Sequence, residues 1–109
     1  MKIKRFLLIF TIPFLFYFKT LFADEAKMIK GLETFNETAG CAACHILKSA
    51  GSEGNIGPNL DTVEGLNYDS VMDIVTHGLG VMPAFGEDEI LTKDQIDIVS
   101  FYVANSAGK

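Results

Sequence analysis

The stretch Cys41-Ala42-Ala43-Cys44-His45 constrains this chain more than any other. It holds the only two cysteines, three positions apart, with a histidine directly after the second. Thiols at that spacing on a short turn reach both vinyl groups of a haem as thioethers. The residue that follows is then carried under the ring, where an imidazole nitrogen meets the iron. C-x-x-C-H reads as c-type haem attachment on these grounds. Cys41 and Cys44 are therefore candidate attachment points and His45 a candidate iron ligand. Three other readings stay open at this stage. A disulfide across two residues would leave His45 without a role. A thioredoxin-like redox pair calls for a βαβ setting, of which the chain gives no sign. A structural zinc site needs a fourth ligand, normally from a second, well-separated pair, and the one other histidine is His77.

The N-terminus has a different composition from the rest. Lys2, Lys4 and Arg5 form a basic start, Phe6 to Phe18 is an almost unbroken apolar run, and Leu21-Phe22-Ala23 precedes the charged pair Asp24-Glu25. Basic, apolar, then small is the order of a secretory signal peptide. The run is short for a membrane span, which takes about 20 residues. Cleavage is expected after Ala23. Leu21, where a small residue is usual, and Lys19, near the cut, leave retention as an uncleaved anchor as the alternative. Export places the protein in the periplasm and agrees independently with haem attachment, which occurs outside the cytoplasm.

Residues 24–109 then form one domain of 86 residues, with five Lys, no Arg and fourteen Asp/Glu, a formal charge of −9. Such a surface argues against nucleic acid and anionic membranes as partners and favours a docking partner with a positive face. Acidity that merely maintains solubility accounts for much of the same composition. A domain of this size buries only about 60% of its unfolded surface, so its core is marginal without help from something beyond side-chain packing.

Three helices are expected. Residues 24–37 place Ala26, Ile29 and Phe35 near one face with Met28 and Leu32. Gly31 inside that helix is unfavourable by up to about 1 kcal/mol against Ala, which makes sense if a second helix crosses closely there. Residues 67–77 follow, with Asn67 as N-cap, Asp69 in the first turn, Val71, Ile74 and Val75 as the inner stripe, and Gly78 beyond the end. The third helix opens on the capping box Thr92-Lys93-Asp94-Gln95, with Leu91 stapled onto Ile96. Ile96, Val99, Tyr102 and Val103 repeat on its inner face, flanked by Ile98 and Phe101. Residues 46–60 read as loop and no strand is expected. The fold class is all-α, with loops long enough to wrap something.

An export signal, a helix, CAACH, Gly57-Pro58-Asn59-Leu60, Met82-Pro83-Ala84-Phe85 and a final capped helix follow one another in that order. The chain thereby resembles the class I c-type cytochromes, in particular the short monohaem bacterial and algal forms with a Met-Pro-Ala-Phe ligand loop. The resemblance covers nearly all of residues 24–109. It implies a small cytochrome c fold wrapped around one covalent haem c, with Cys41 and Cys44 bonded to the haem and His45 as proximal ligand to its iron. It also implies a Pro58 carbonyl that accepts a hydrogen bond from the other His45 ring nitrogen, fixing the tautomer. The chain departs from the family in lacking Trp or Arg after residue 23, so no haem-propionate contact is assigned.

His77 and Met82 compete for the sixth position on the iron. His77, in the last turn of its helix, has a structural reason to be there, since a histidine interacts favourably with the free carbonyls and the helix dipole. Met82 lies in a loop, and Pro83 biases it toward extended backbone. Chiefly on the resemblance, Met82 is the expected ligand. Met28 and Met72 fall within helices and read as adaptable core filler. His/Met ligation leaves no open position for a substrate, so the expected role is not enzymatic: a periplasmic one-electron carrier cycling Fe(III)/Fe(II) between redox proteins. A haem subunit of a periplasmic dehydrogenase complex is the alternative. A peroxidase or gas sensor with a labile sixth ligand is a further one, for which no distal acid/base pair is evident.

Overall fold

The computed structural model describes residues 21–109. The expected export segment, residues 1–23, lies outside the described residues except for its last three. Among the described residues no helix is long and apolar enough to cross a membrane.

Helix α1 occupies residues 21–33 and widens into a π turn at Thr34–Thr38. The cause is local. The Thr34 hydroxyl donates to the Lys30 carbonyl at 2.8 Å, and the Ala39 amide reaches back five residues to the Thr34 carbonyl at 2.8 Å. Hydroxyl back-bonding of this kind competes with the helical ladder and bends it. The inner face of α1 differs from the expected one. Ala26 and Ile29 are exposed, Ile29 by 63%, and the helix turns Met28, Gly31, Leu32 and Phe35 inward. That spacing is itself a helical stripe, but its centre is a glycine and so carries no apolar signal.

Helices α2 (Tyr68–His77) and α3 (Lys93–Ser106) match their expected caps. Asn67 accepts from the Ser70 amide at 2.9 Å. At α3, Thr92 accepts from the Gln95 amide while Gln95 accepts from the Thr92 amide, at 3.2 and 2.9 Å. Leu91 and Ile96, the two ends of the staple, are both buried. Between α1 and α2 the chain is not all loop. Ile46–Leu47 (β1) pairs antiparallel with Ser52–Glu53 (β2). Strands of two residues offer too little alternation to be read from sequence, so the expectation of no strand is corrected to one small ribbon, while the all-α class stands with its three helices.

The core is Phe35, Leu47, Val75, Phe85, Leu91, Ile96, Val99, Tyr102 and Val103. Helix α1 crosses α3 at Gly31, where a Cβ would stand 2.3 Å from Tyr102 Cβ and 2.9 Å from the Ile98 carbonyl oxygen. Only a residue without a side chain permits that approach. One turn on, the Phe35 ring lies 6.1 Å from the Tyr102 ring, tilted by 58°, within the range of favourable aromatic pairing. The Tyr102 hydroxyl pairs with Ser49 Oγ at 2.7 Å, tying the ribbon turn to the crossing. On the other side a single carboxylate joins the three helices. Asp97 on α3 accepts from the Tyr68 hydroxyl of α2 at 2.5 Å and pairs with Lys27 of α1 at 2.9 Å.

Candidate functional site

The CAACH segment begins where Gly40, at φ 69°, breaks α1. Cys41–Ala43 form one 3₁₀ turn, continued by hydrogen bonds from the Cys44 and His45 amides to the Cys41 carbonyl at 3.1 and 3.0 Å. Both thiols and the imidazole are thus held on a single turn. The segment that follows β2 wraps around it. The Gly57 amide donates to the Cys44 carbonyl at 2.7 Å, and the Leu60 amide to the Ile46 carbonyl at 3.0 Å. This wrapping brings the Pro58 carbonyl oxygen to 2.8 Å from His45 Nδ1. A carbonyl can only accept, so Nδ1 carries the proton and Nε2 is left as the free lone pair. Gly57 faces the ring directly, since a Cβ there would lie 2.5 Å from His45 Cε1.

Opposite this turn the chain leaves α2 at Gly78, with φ 75°. Leu79 and Met82 then exchange backbone hydrogen bonds at 3.3 and 3.0 Å, forming a tight hairpin with Met82 on its returning limb. The returning chain lands on the end of α2. The Phe85 amide donates to the Val75 carbonyl, and the Gly86 and Glu87 amides to the Thr76 carbonyl, at 2.9 to 3.2 Å. Carbonyls at a helix C-terminus lack intrahelical partners, and here the loop supplies them.

Between the two halves lies a cavity of about 410 Å³. Cys41, Cys44, His45, Pro58 and Met82 all line it, together with Phe35, Leu60, Leu66, Val71, Val75, Phe85, Val99 and Val103. The expected site residues, dispersed over 42 positions of sequence, therefore converge on one space. The lining is apolar apart from the motif itself, Ser70 and one carboxylate, Glu64. Its volume is that of a cofactor pocket, and a mainly apolar wall with a few convergent polar atoms is the usual composition of one. The residues present thus fit a large, flat, apolar group gripped by two thiols and offered one imidazole nitrogen. A second, more open groove between α1 and α3 is lined by Leu21, Phe22 and Phe101 and gathers no comparable donor set.

His77 does not line this cavity. It points to the outside, with Nδ1 2.5 Å from Glu87 Oε1. The geometry also bears on the other readings of the cysteines. Cys41 and Cys44 are not bonded to each other. Burial, helped by the neighbouring Cys44 and opposed by a backbone hydrogen bond, pushes the Cys41 thiol up to about 11. That is the reverse of the lowered value a redox-active pair needs. Among the described residues no three or more His, Cys, Asp or Glu side chains are grouped to hold an ion between them. Gly57 was not assigned a role from the sequence, although it directly precedes Pro58. A glycine next to a carbonyl expected to meet a ring was the signal for close approach.

Comparisons with known proteins supply the family. Residues 26–103 match the family described as "Cytochrome C oxidase, cbb3-type, subunit III". The Cbb3-type cytochrome c oxidase subunit CcoP of Azospirillum sp. (strain B510) is 39% identical over 99 residues, covering 75% of this chain but only 31% of that protein. Cytochrome c6 of Gloeothece citriformis (strain PCC 7424) is 37% identical over 92 residues, covering 81% of this chain and 77% of its own length. The crystal structure of the c-type cytochrome SorU from Sinorhizobium meliloti superposes with a TM-score of 0.70 at 42% identity, over 78% of this chain and 95% of that one. A chain that shares the cytochrome fold and converges two cysteines and a histidine on one apolar cavity belongs to the c-type cytochrome family, as a class I monohaem cytochrome carrying covalent haem c and its iron.

Proposed function

We propose that this protein is a periplasmic one-electron carrier whose iron is held by His45 and Met82, with Cys41 and Cys44 as the haem attachment points. The convergence of these four side chains on one cavity carries the reading. When bound, the haem supplies a one-electron Fe(III)/Fe(II) couple. The chain's own residues determine how that couple behaves. Pro58 holds the Nδ1 proton of His45 and so leaves Nε2 as the lone pair for a metal and makes it the stronger donor. The hairpin at residues 79–82 presents the Met82 thioether, a soft ligand that favours the reduced form relative to a second imidazole. The mainly apolar walls leave few polar groups to reorganise when charge changes. With His45 and Met82 both holding the iron, no position would remain for a substrate, and among the described residues lining the cavity no acid/base pair stands beside Met82.

The mature chain, after removal of residues 1–23, carries fourteen carboxylates against five lysines. This charge supports redox partners with a positive docking surface, attracted at rates that fall with salt. A second reading has its own observation behind it, since the matching family is described as an oxidase subunit. Co-purification with a larger partner at physiological salt supports a subunit, and isolation as a free monomer supports the carrier. Ligation is tested on the ferric protein. It shows a sulfur-to-iron band at the red end of the visible spectrum, and Met82→His removes that band, keeps the iron six-coordinate and lowers the potential. An unchanged potential refutes Met82 as ligand. Mass spectrometry of the exported protein locates the cut; a mass retaining residues 1–23 refutes cleavage.

A further inference from the structure

The loop that carries Met82 has a neck, where its exit from α2 and its return to α2 lie side by side. The backbone closes this neck through the Phe85, Gly86 and Glu87 amides. Side chains close it a second time. His77, the last residue of α2, brings Nδ1 to 2.5 Å from Oε1 of Glu87, the first charged residue after the loop. Asp73, one turn earlier in α2, stands 3.6 Å from the other ring nitrogen. Among the described residues these two carboxylates are the only charged groups paired with the ring; α3, packed against α2, contributes none.

We propose that His77 and Glu87 form a clamp across the neck of the Met82 loop, positioning residues 78–86 so that the methionine sulfur stays on the iron. The proposal rests on Met82 being the sixth ligand. Swinging Met82 away requires the returning limb to move, because Pro83 fixes the backbone directly after it. That limb is anchored to α2 by three amides and by this one side-chain pair. Of these contacts only the pair depends on protonation. The hydrogen bond to Glu87, opposed next by desolvation and then supported by the charges of Glu87 and Asp73, raises the His77 pKa above its ordinary value. A raised histidine value means that the ionic part of the clamp is present in full below the ordinary pKa and is lost as pH rises through the raised one, leaving at most a neutral hydrogen bond. The loop opens more readily above it. Both partners are more than half exposed, at 56% and 59%. The effect is accordingly modest and screened by salt, about two- to fivefold in the open population.

Azide, an anion throughout the range from pH 6 to 9, serves as competitor for the sixth position on the ferric holoprotein at low salt, with the sulfur-to-iron band as readout. The wild type is expected to bind azide about two- to fivefold more tightly at pH 9 than at pH 6. Deprotonation of His77 also makes the surface more negative and repels azide, so the background charge effect has the opposite sign. His77→Gln and Glu87→Gln are expected to bind at pH 6 as the wild type does at pH 9. His77→Lys, still cationic at pH 9, is expected to keep the weaker binding at both. Wild-type affinity that is flat or falls with pH, or His77→Lys indistinguishable from His77→Gln at pH 9, overturns the clamp while leaving Met82 in place. A ferric wild type with no sulfur-to-iron band at pH 6 overturns the Met82 assignment and the clamp with it.

Discussion

Substituting Gly57 by alanine separates the orientation of His45 from everything else in the site. The Pro58 carbonyl belongs to the backbone and cannot be removed by mutation, but Gly57 controls the ring that faces it. An added Cβ would stand 2.5 Å from His45 Cε1, 2.9 Å from Nδ1 and 3.0 Å from Nε2. Ordinary contact begins at about 3.5 Å, so the ring must retreat by roughly 1 Å. Gly57 is not in the left-handed region, so alanine brings no backbone strain and the perturbation falls on the imidazole. A retreat of that size breaks the 2.8 Å hydrogen bond to Pro58. The net worth of such a bond is about 0.5–1.5 kcal/mol. It favours the oxidised iron, because an imidazole whose proton is held is the more basic ligand. With tenfold equal to 59 mV for one electron, its loss raises the potential by at most about 20–65 mV. A redox titration of the purified holoprotein measures the shift, with the sulfur-to-iron band confirming that the opposite ligand is intact. A potential unchanged or lowered in Gly57→Ala, with the band retained, refutes the claim that the Pro58 bond tunes His45.

Three further outcomes follow from the packing. Gly31→Ala is expected to lower stability by about 1–3 kcal/mol through overpacking against Tyr102, despite a helix-propensity gain of up to about 1 kcal/mol; a denaturant titration showing no loss contradicts the crossing. Asp97 is held below its usual value, first by the Tyr68 hydroxyl and then by Lys27. Its contribution is therefore present above about pH 4, the unfolded value, and fades as pH falls through the lowered one. Asp97→Asn should cost about 0.5–1 kcal/mol at pH 7, discounted for exposure, and flatten the acid limb of the stability profile; an unaltered limb refutes the assignment. Cys41→Ala/Cys44→Ala, unable to attach haem covalently, should lose cooperative melting by circular dichroism, because 86 residues bury too little surface alone; a sharp, native-like transition contradicts this.

What was legible in the sequence was local chemistry. The box Thr92 to Gln95 and the cap at Asn67 are contacts over three residues, and both stand where their spacing put them. The close crossing at Gly31 was readable because an internal glycine is unfavourable unless space forbids a side chain. The same glycine hid the inner face of α1, since it occupies the middle of the buried stripe and left Ile29 as the apparent apolar position. The ribbon of Ile46–Leu47 and Ser52–Glu53 was beyond reach because two-residue strands show no period. The convergence of Pro58 on His45 and of Met82 on the same cavity was expected through resemblance to a family. No local rule joins residues 13 or 37 positions apart. The pairing of His77 with Glu87 went unread for the same reason, and the helix dipole was the nearest local explanation on offer.

The landing of the Met82 loop on α2 has a consequence for how the molecule breathes. Because the Phe85, Gly86 and Glu87 amides occupy carbonyls of the last turn of α2, that turn cannot fray while the loop is seated, and the loop cannot lift without exposing those carbonyls. Helix end and ligand loop form one cooperative unit that opens together. The amide protons of Gly86 and Glu87 should then exchange with solvent at a common rate. Slower exchange when the sulfur is bound would make backbone hydrogens on the outside of the domain a gauge of the iron's coordination.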